Sequence, residues 1–309
     1  VASLTDGTGG PRWKADGVEV RIPSPLIELA DERLTRHGLT LLVKRDDLIH
    51  PDLPGNKWRK LRDNLAEAAR RDQGTLLTFG GAYSNHIRAV AAAGHHCGLR
   101  TIGVIRGEEH LPLNPSLEYA VARGMHLTYL DRTAYRVKHT APIIDELRDR
   151  WGDFYLIPEG GSNEFAVRGC AELPAEIGVG FDVICTPVGT GGTLAGIAAG
   201  LAPHQRAVGF SVLRGAEFLD GQVEELQQRA YGRRLGRWTI VHSYHGGGYA
   251  KTTPELDQFI VDFRRRHGVP LDRIYTGKMM LGILAEAAAG AFTPGTRIVA
   301  VITGAGLSS

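Results

Sequence analysis

The sequence predicts an α/β protein of two domains, each an open, twisted parallel sheet with helices on both faces. Two observations carry this. Strand-like apolar runs alternate with amphipathic or Ala-rich helical stretches along most of the chain, a pattern that puts helices over a parallel sheet. The 309 residues are also enough for two moderate cores.

The N-terminal region gives a Pro-rich lead-in from Arg21 to Leu26, a short helix, and a strand from Leu39 to Val43 that ends in the charged run Lys44-Arg45-Asp46-Asp47. A helix starts near Asn56, and Gly74 stops it. Further strands are expected at Thr75 to Phe79, Arg100 to Ile105, His126 to Tyr129, Phe154 to Ile157, Asp182 to Pro187, Ala207 to Val212 and Arg297 to Ile302. Between them, Ser84 to Gly94, Ser116 to Arg123, Ala141 to Trp151 and Thr193 to Leu201 read as helices. The seams fall at the Pro51 to Gly55 turn and the Gly-rich run from Pro158 to Asn163. Residues 55–161 are then a small domain, and 1–54 with 162–309 a large one.

Composition excludes several partners. Lys plus Arg (36) nearly balance Asp plus Glu (34), and no basic run interleaved with aromatics forms a phosphate-tracking stripe, so nucleic acid is not expected. No apolar run approaches the roughly 20 residues of a membrane span, and the first residues lack a basic segment followed by an apolar one, so no membrane is expected. Cys97, Cys170 and Cys185 are far apart, with no CxxC pair, which suggests neither disulfides nor zinc and fits a reducing cytoplasm. His95, His96 and Cys97 are consecutive, so on a helix they point in different directions and no metal is expected there.

Pro54-Gly55-Asn56-Lys57-Trp58-Arg59-Lys60-Leu61 is the stretch around which the rest is arranged. Pro and Gly turn the backbone, Asn56 can cap the helix, and Trp58, Leu61 and Leu65 recur at helical spacing to pin it to a core. Lys57, Lys60 and Asn64 share another face, which is expected to open at Lys57. A lysine does covalent chemistry as the neutral amine, which burial and nearby positive charge favour, and Arg59 and Lys60 would supply that charge.

Two glycine loops each follow a strand and open a helix. Gly189-Thr190-Gly191-Gly192-Thr193 offers converging N–H groups, a helix N-terminus and two hydroxyls, which suit an anion. The Walker spacing is missing, and Leu194 stands where a dinucleotide fingerprint needs its last glycine, so a phosphate monoester fits better than a pyrophosphate. The alternative is a βα turn that binds nothing. In Gly80-Gly81-Ala82-Tyr83-Ser84-Asn85-His86, either Ser84 or Asn85 could simply cap the helix, or the donors could meet a ligand carboxylate or ring oxygen.

Five motifs occur in order: Gly55-Asn56-Lys57-x-Arg59-Lys60-Leu61, Gly80-Gly81-x-x-Ser84-Asn85-His86, Gly189 to Thr193, Tyr275-Thr276-Gly277-Lys278 and Thr303-Gly304. Together, from about residue 20 to the C-terminus, they resemble the 1-aminocyclopropane-1-carboxylate deaminase and D-cysteine desulfhydrase family of pyridoxal 5'-phosphate enzymes. The resemblance implies a tryptophan synthase β-like fold (fold type II), a homodimer, a small amino-acid substrate and a large domain that binds the cofactor. It also makes Lys57 the Schiff-base lysine and the base for the substrate's α-proton. Asn85 would meet the ring hydroxyl, Lys60 and Gly189, Thr190, Gly191, Gly192 and Thr193 the phosphate, and Thr303 the pyridine nitrogen. Ser84, Asn85, His86 and Thr276 would line the substrate position, with Tyr249 and Tyr275 facing the substrate.

Members that open the cyclopropane ring carry Glu after the tyrosine of the Tyr-x-Gly-Lys motif, where this chain has Thr276. That points to β-elimination from D-cysteine, giving pyruvate, sulfide and ammonia. Ring opening, or elimination from another β-substituted amino acid such as L-cysteate, is the alternative. Ile302 where the family often has His, and Ala305 for a second glycine, are further departures. A non-catalytic binding protein on the same fold is the reading from another class, and retention of Lys57, Ser84 and both tyrosines argues against it.

Overall fold

The structure is a computed structural model, described here over residues 20–304. Ten strands follow in chain order among the described residues: β1 Leu26–Leu29, β2 Thr40–Lys44, β3 Thr75–Gly80, β4 Arg100–Arg106, β5 Met125–Leu130, β6 Tyr155–Ile157, β7 Val183–Val188, β8 Arg206–Ser211, β9 Trp238–Val241 and β10 Arg297–Val301. Two compact units result, residues 60–162 and the remainder of the described chain. The division after Arg59 falls inside the Asn56–Arg70 helix, not in the turn before it.

The 60–162 unit is a four-stranded, all-parallel sheet in the order β5-β4-β3-β6. Leu77, Phe79, Ile102 and Val104 face one way, onto Tyr135, Ile144 and Leu147. The Asn85–Cys97 helix covers the other face, where Gly80 and Gly103 leave room for Ile87; a Cβ on Gly80 would lie 2.5 Å from its Cγ1.

The larger unit holds a six-stranded sheet in the order β1-β2-β10-β7-β8-β9. Alternate residues point to opposite faces. Val43, Cys185, Phe210 and Ala300 pack on Met279, Met280 and Ile283 of the Thr276–Ala288 helix. Leu42, Ile184, Val188 and Val299 pack on Leu194 and Ile197 of the Gly192–Ala199 helix and on Leu219 and Val223 of the Phe218–Tyr231 helix.

The expectation of purely parallel sheets needs one correction: β1 runs antiparallel to β2. Both β1 and β9 are absent from the sequence expectations, and both are four-residue outer strands, paired on one side only, too short for a strand period to be read from them. The other strands lie within a residue or two of their expected ends. Among the described residues no helix is long and apolar enough to cross a membrane, and no cluster of His, Cys, Asp and Glu could hold a metal.

Candidate active site

The turn before Lys57 is held from several sides within the larger unit. Gly55 N donates to Asp46 O at 2.8 Å, and a Cβ on Gly55 would lie 2.0 Å from the Thr303 carbonyl oxygen, so with φ +61° only glycine fits. Ile302 N donates to Lys44 O, and Asp47 N donates back to Ile302 O. The ends of β2 and β10 thus form one frame with the turn. Ile302 itself is fully buried in the core, whereas Ala305 lies outside the described residues.

Arg59 completes the frame and corrects an expectation. Its guanidinium is buried, bonded to Asp46 (2.7 and 3.0 Å) and to Glu176 (2.6 and 2.8 Å). Lys44 Nζ adds bonds to Glu176 (3.1 Å) and Ser24 O (2.7 Å), and Ser24 Oγ donates to Asp46 (2.6 Å). Burial opposes charge on both groups, but the paired bonds win, raising the Arg59 pKa above and holding the Glu176 pKa below their ordinary values. Two cations face two carboxylates, so Arg59 is not the free positive charge that the sequence suggested for Lys57. Nor does Asn56 stand outside the helix as its cap: it is the first helical residue, and its Nδ2 donates to Thr193 Oγ1 at 3.0 Å. The residue before Lys57 is thereby tied to the glycine loop.

That loop links β7 to the Gly192–Ala199 helix, whose first turn carries no acid. Gly191 has φ +76°, and a Cβ there would lie 3.0 Å from Val223. Thr193 Oγ1, already accepting from Asn56, keeps its hydrogen for an acceptor. Over the loop lies Tyr275, whose ring carbon Cε1 is 3.4 Å from where a Gly189 Cβ would stand. Tyr249 meets Tyr275 edge to face, with 3.5 Å between the hydroxyls. The structure therefore gathers the Lys57 turn, Thr303 and the glycine loop into one framework, and the two tyrosines at that loop.

Thr276 is a correction. It is fully buried; its hydroxyl donates to Asp272 Oδ2 (2.6 Å) and accepts from Asp272 N (2.9 Å), so it is spent on the turn and does not face a substrate. The same carboxylate accepts from the N–H groups of Ile274, Tyr275 and Thr276. Asp272 was missed, although an acid shortly before a helix start is a recognisable capping signal. Lys278, the last residue of the same motif, is 1% exposed and donates to Gly248 O at 2.8 Å.

Within the 60–162 unit, Ser84 is the helix cap, accepting from His86 N (3.2 Å) and Ile87 N (3.4 Å), which leaves its own hydrogen to donate. Asn85 begins the helix. His86 is buried, with Nε2 2.8 Å from Thr78 Oγ1; since Thr78 gives its hydrogen to Ile157 O, Nε2 is the donor. His86 thus pins the loop, which corrects its assignment to substrate. The Lys60 face is also closed: Lys60 is 2% exposed, its Nζ donates to Gly160 O and Ser162 Oγ (both 3.0 Å), and Asn64 is buried beneath it.

A glycine loop with positive φ at Gly191, opening an acid-free helix start with an oriented hydroxyl, fits the phosphate of pyridoxal phosphate. Comparison with known proteins agrees. A family profile described as pyridoxal-phosphate dependent enzyme matches residues 19–304, and the chain belongs to that family. It is 33% identical over 282 residues (86% of this chain, 85% of the other) to a Pyrococcus furiosus protein named as a candidate 1-aminocyclopropane-1-carboxylate deaminase. It is 31% identical to an Arabidopsis thaliana bifunctional D-cysteine desulfhydrase and 1-aminocyclopropane-1-carboxylate deaminase (81% and 68% covered), and 30% identical to a Klebsiella pneumoniae D-cysteine desulfhydrase (91% and 90%). A solved structure described as an ACC deaminase homologue matches with a TM-score of 0.81 at 30% identity, covering 94% of this chain and 91% of that one. The resemblance read from the motifs is therefore borne out, as are the fold type and the cofactor.

Proposed function

We propose that this enzyme eliminates a β-substituent from a small amino acid, with D-cysteine as the leading substrate and pyruvate, sulfide and ammonia as products. The observation that carries the proposal is the pair of tyrosine hydroxyls at the glycine loop; the preference for D-cysteine rests on the family resemblance at Thr276, a position that is buried here and acts only through the turn that carries Tyr275. Bound pyridoxal phosphate supplies the electron sink for charge that develops at Cα. Lys57, on the first turn of its helix, holds the cofactor and moves the α-proton. The glycine loop and Thr193 hold the phosphate; Lys60, expected there from the resemblance, is instead bonded to Gly160 O and Ser162 Oγ within its own unit. Thr303 offers the pyridine nitrogen a neutral hydrogen bond, which cannot keep a proton there as a carboxylate would. Ser84 and Asn85 offer donors to a carboxylate and a ring oxygen.

The Cα–H and Cβ–S bonds break, sulfide leaves, and the resulting enamine takes up water to give pyruvate and ammonia. Tyr249 and Tyr275 supply hydroxyls for the departing group, and a thiolate needs less acid help than a ring carbon. The test offers the purified holoenzyme D-cysteine and 1-aminocyclopropane-1-carboxylate in parallel. Pyruvate with sulfide from the first, and no 2-oxobutyrate from the second, is the expected result; the reverse would make this a ring-opening deaminase.

A further inference from the structure

Lys278 has no part in the chemistry above, yet its placement is specific. It lies near the start of the Thr276–Ala288 helix, is 1% exposed, and gives its hydrogen bond to Gly248 O at 2.8 Å. Gly246, Gly247 and Gly248 all have positive φ (59°, 93° and 127°), and a Cβ on Gly246 would lie 3.3 Å from Lys278 Cε. Three such residues have little preference of their own for one conformation, because glycine explores left-handed and right-handed backbone alike. The next residue is Tyr249, 40% exposed, whose hydroxyl meets that of Tyr275.

We propose that Lys278 is a positioning residue: its ammonium, bound to Gly248 O beneath the 246–248 turn, sets Tyr249 against Tyr275. The proposal rests on the reading in which that pair serves the departing group, but the coupling itself can be measured without substrate. A buried lysine with one carbonyl partner is a poor stabiliser, and burial pushes Lys278 down to about 8 despite the charge of Asp272. An apolar side chain would fill the space at lower cost. What the lysine adds is a fixed donor under a segment that lacks side chains to hold it. The ionisable groups on the elements packed here are Asp272 and Tyr275 before its helix, Glu286 along it, and Tyr244, His245, Tyr249 and Lys251 on the loop; Tyr244 donates to Glu286 and is held above its ordinary range, while the Pro254–His267 helix presents apolar Leu256 to the Gly246 turn.

The experiment is hydrogen–deuterium exchange of the 246–251 segment in cofactor-free protein, wild type against Lys278→Met. At least tenfold faster exchange there, with the Gly192–Ala199 helix unchanged, is expected; unchanged exchange in the loop would overturn the proposal. The wild type provides a second measurement should the variant fail to fold. Relative to the same reference helix, loop exchange should rise at least threefold as pH increases from 7 to 9.5, and a flat ratio would count against Lys278. A His245→Gln control through the same series must keep the rise. If the rise vanishes in that control, the histidine governs the loop and the proposal is wrong. In the holoenzyme, Lys278→Met should lower kcat by tenfold or more with KM little changed. A loss in KM alone would mean that the loop holds substrate and not the tyrosine pair. An inactive wild type with a responsive loop would sink the substrate assignment and leave the coupling standing.

Discussion

Two buried cation sites in the larger unit are built on opposite plans. Around Arg59, each carboxylate oxygen of Asp46 and Glu176 has a donor and two positive side chains are matched by two negative ones. Around Lys278 there is one carbonyl, with the nearest carboxylate already accepting four hydrogen bonds within its own turn. The first arrangement fixes backbone and brings a helix start, β2 and the end of β10 into register. The second leaves its charge poorly compensated and so serves placement better than stability. A matched network and a lone donor therefore answer differently to mutation and to pH.

The largest effect is expected where the matched network is broken on one side. Asp46→Ala leaves Glu176 as the one carboxylate for the buried Arg59 and Lys44 cations, takes away the partner of the Ser24 hydroxyl, and should cost about 3–5 kcal/mol in urea unfolding. Replacing Arg59 and Lys44 together with both carboxylates by apolar residues of similar volume should cost much less, since no charge is then left unpaired. If the single and the combined changes destabilise equally, the network owes its effect to packing and the contrast with Lys278 fails.

Next comes Lys278→Met, with the opposite sign. Below about pH 8 the folded protein holds a buried ammonium, at a cost of about 3 kcal/mol as an upper bound, because the lysine is pushed down from 10.5 to about 8. Between those values the unfolded chain binds more protons than the folded one, so wild-type stability rises with pH there and the cost fades towards 10.5. The variant should thus be more stable than wild type at pH 7, and its advantage should shrink on going to pH 10. A variant that is less stable at pH 7 would show that the Gly248 hydrogen bond outweighs desolvation.

Much of this was legible in the sequence where one residue type admits one explanation. Gly55 needs positive φ and close approach to Thr303, the 189–193 loop reads as an anion cradle, and the Trp58, Leu61 and Leu65 stripe is buried. Partners far apart in sequence were not legible. Glu176 lies 117 residues from Arg59, and no local pattern marks a carboxylate that will meet a distant guanidinium. Thr276 and His86 misled for a related reason. Each sits in a functional motif, yet Asp272 and Thr78 draw their polar atoms inward, a choice made by tertiary packing.

The smallest effect on stability, and a sharp test of the division between the two sites, is expected from Tyr249→Phe. Its hydroxyl is 3.5 Å from that of Tyr275, at the outer limit of a hydrogen bond, on a ring that is 40% exposed. Removing it deletes no buried partner, so unfolding should move by less than about 0.5 kcal/mol. Turnover of D-cysteine should nonetheless fall by tenfold or more, because the hydroxyl's assigned work is on the departing group and not on the fold. Lys278→Met should resemble Tyr249→Phe in its kcat loss while differing from it in stability, and the double variant should lose little more than either alone, since both act through one tyrosine. Losses that multiply in the double variant would mean that Lys278 acts by a separate route, and the lone donor would then need another explanation than the loop above it.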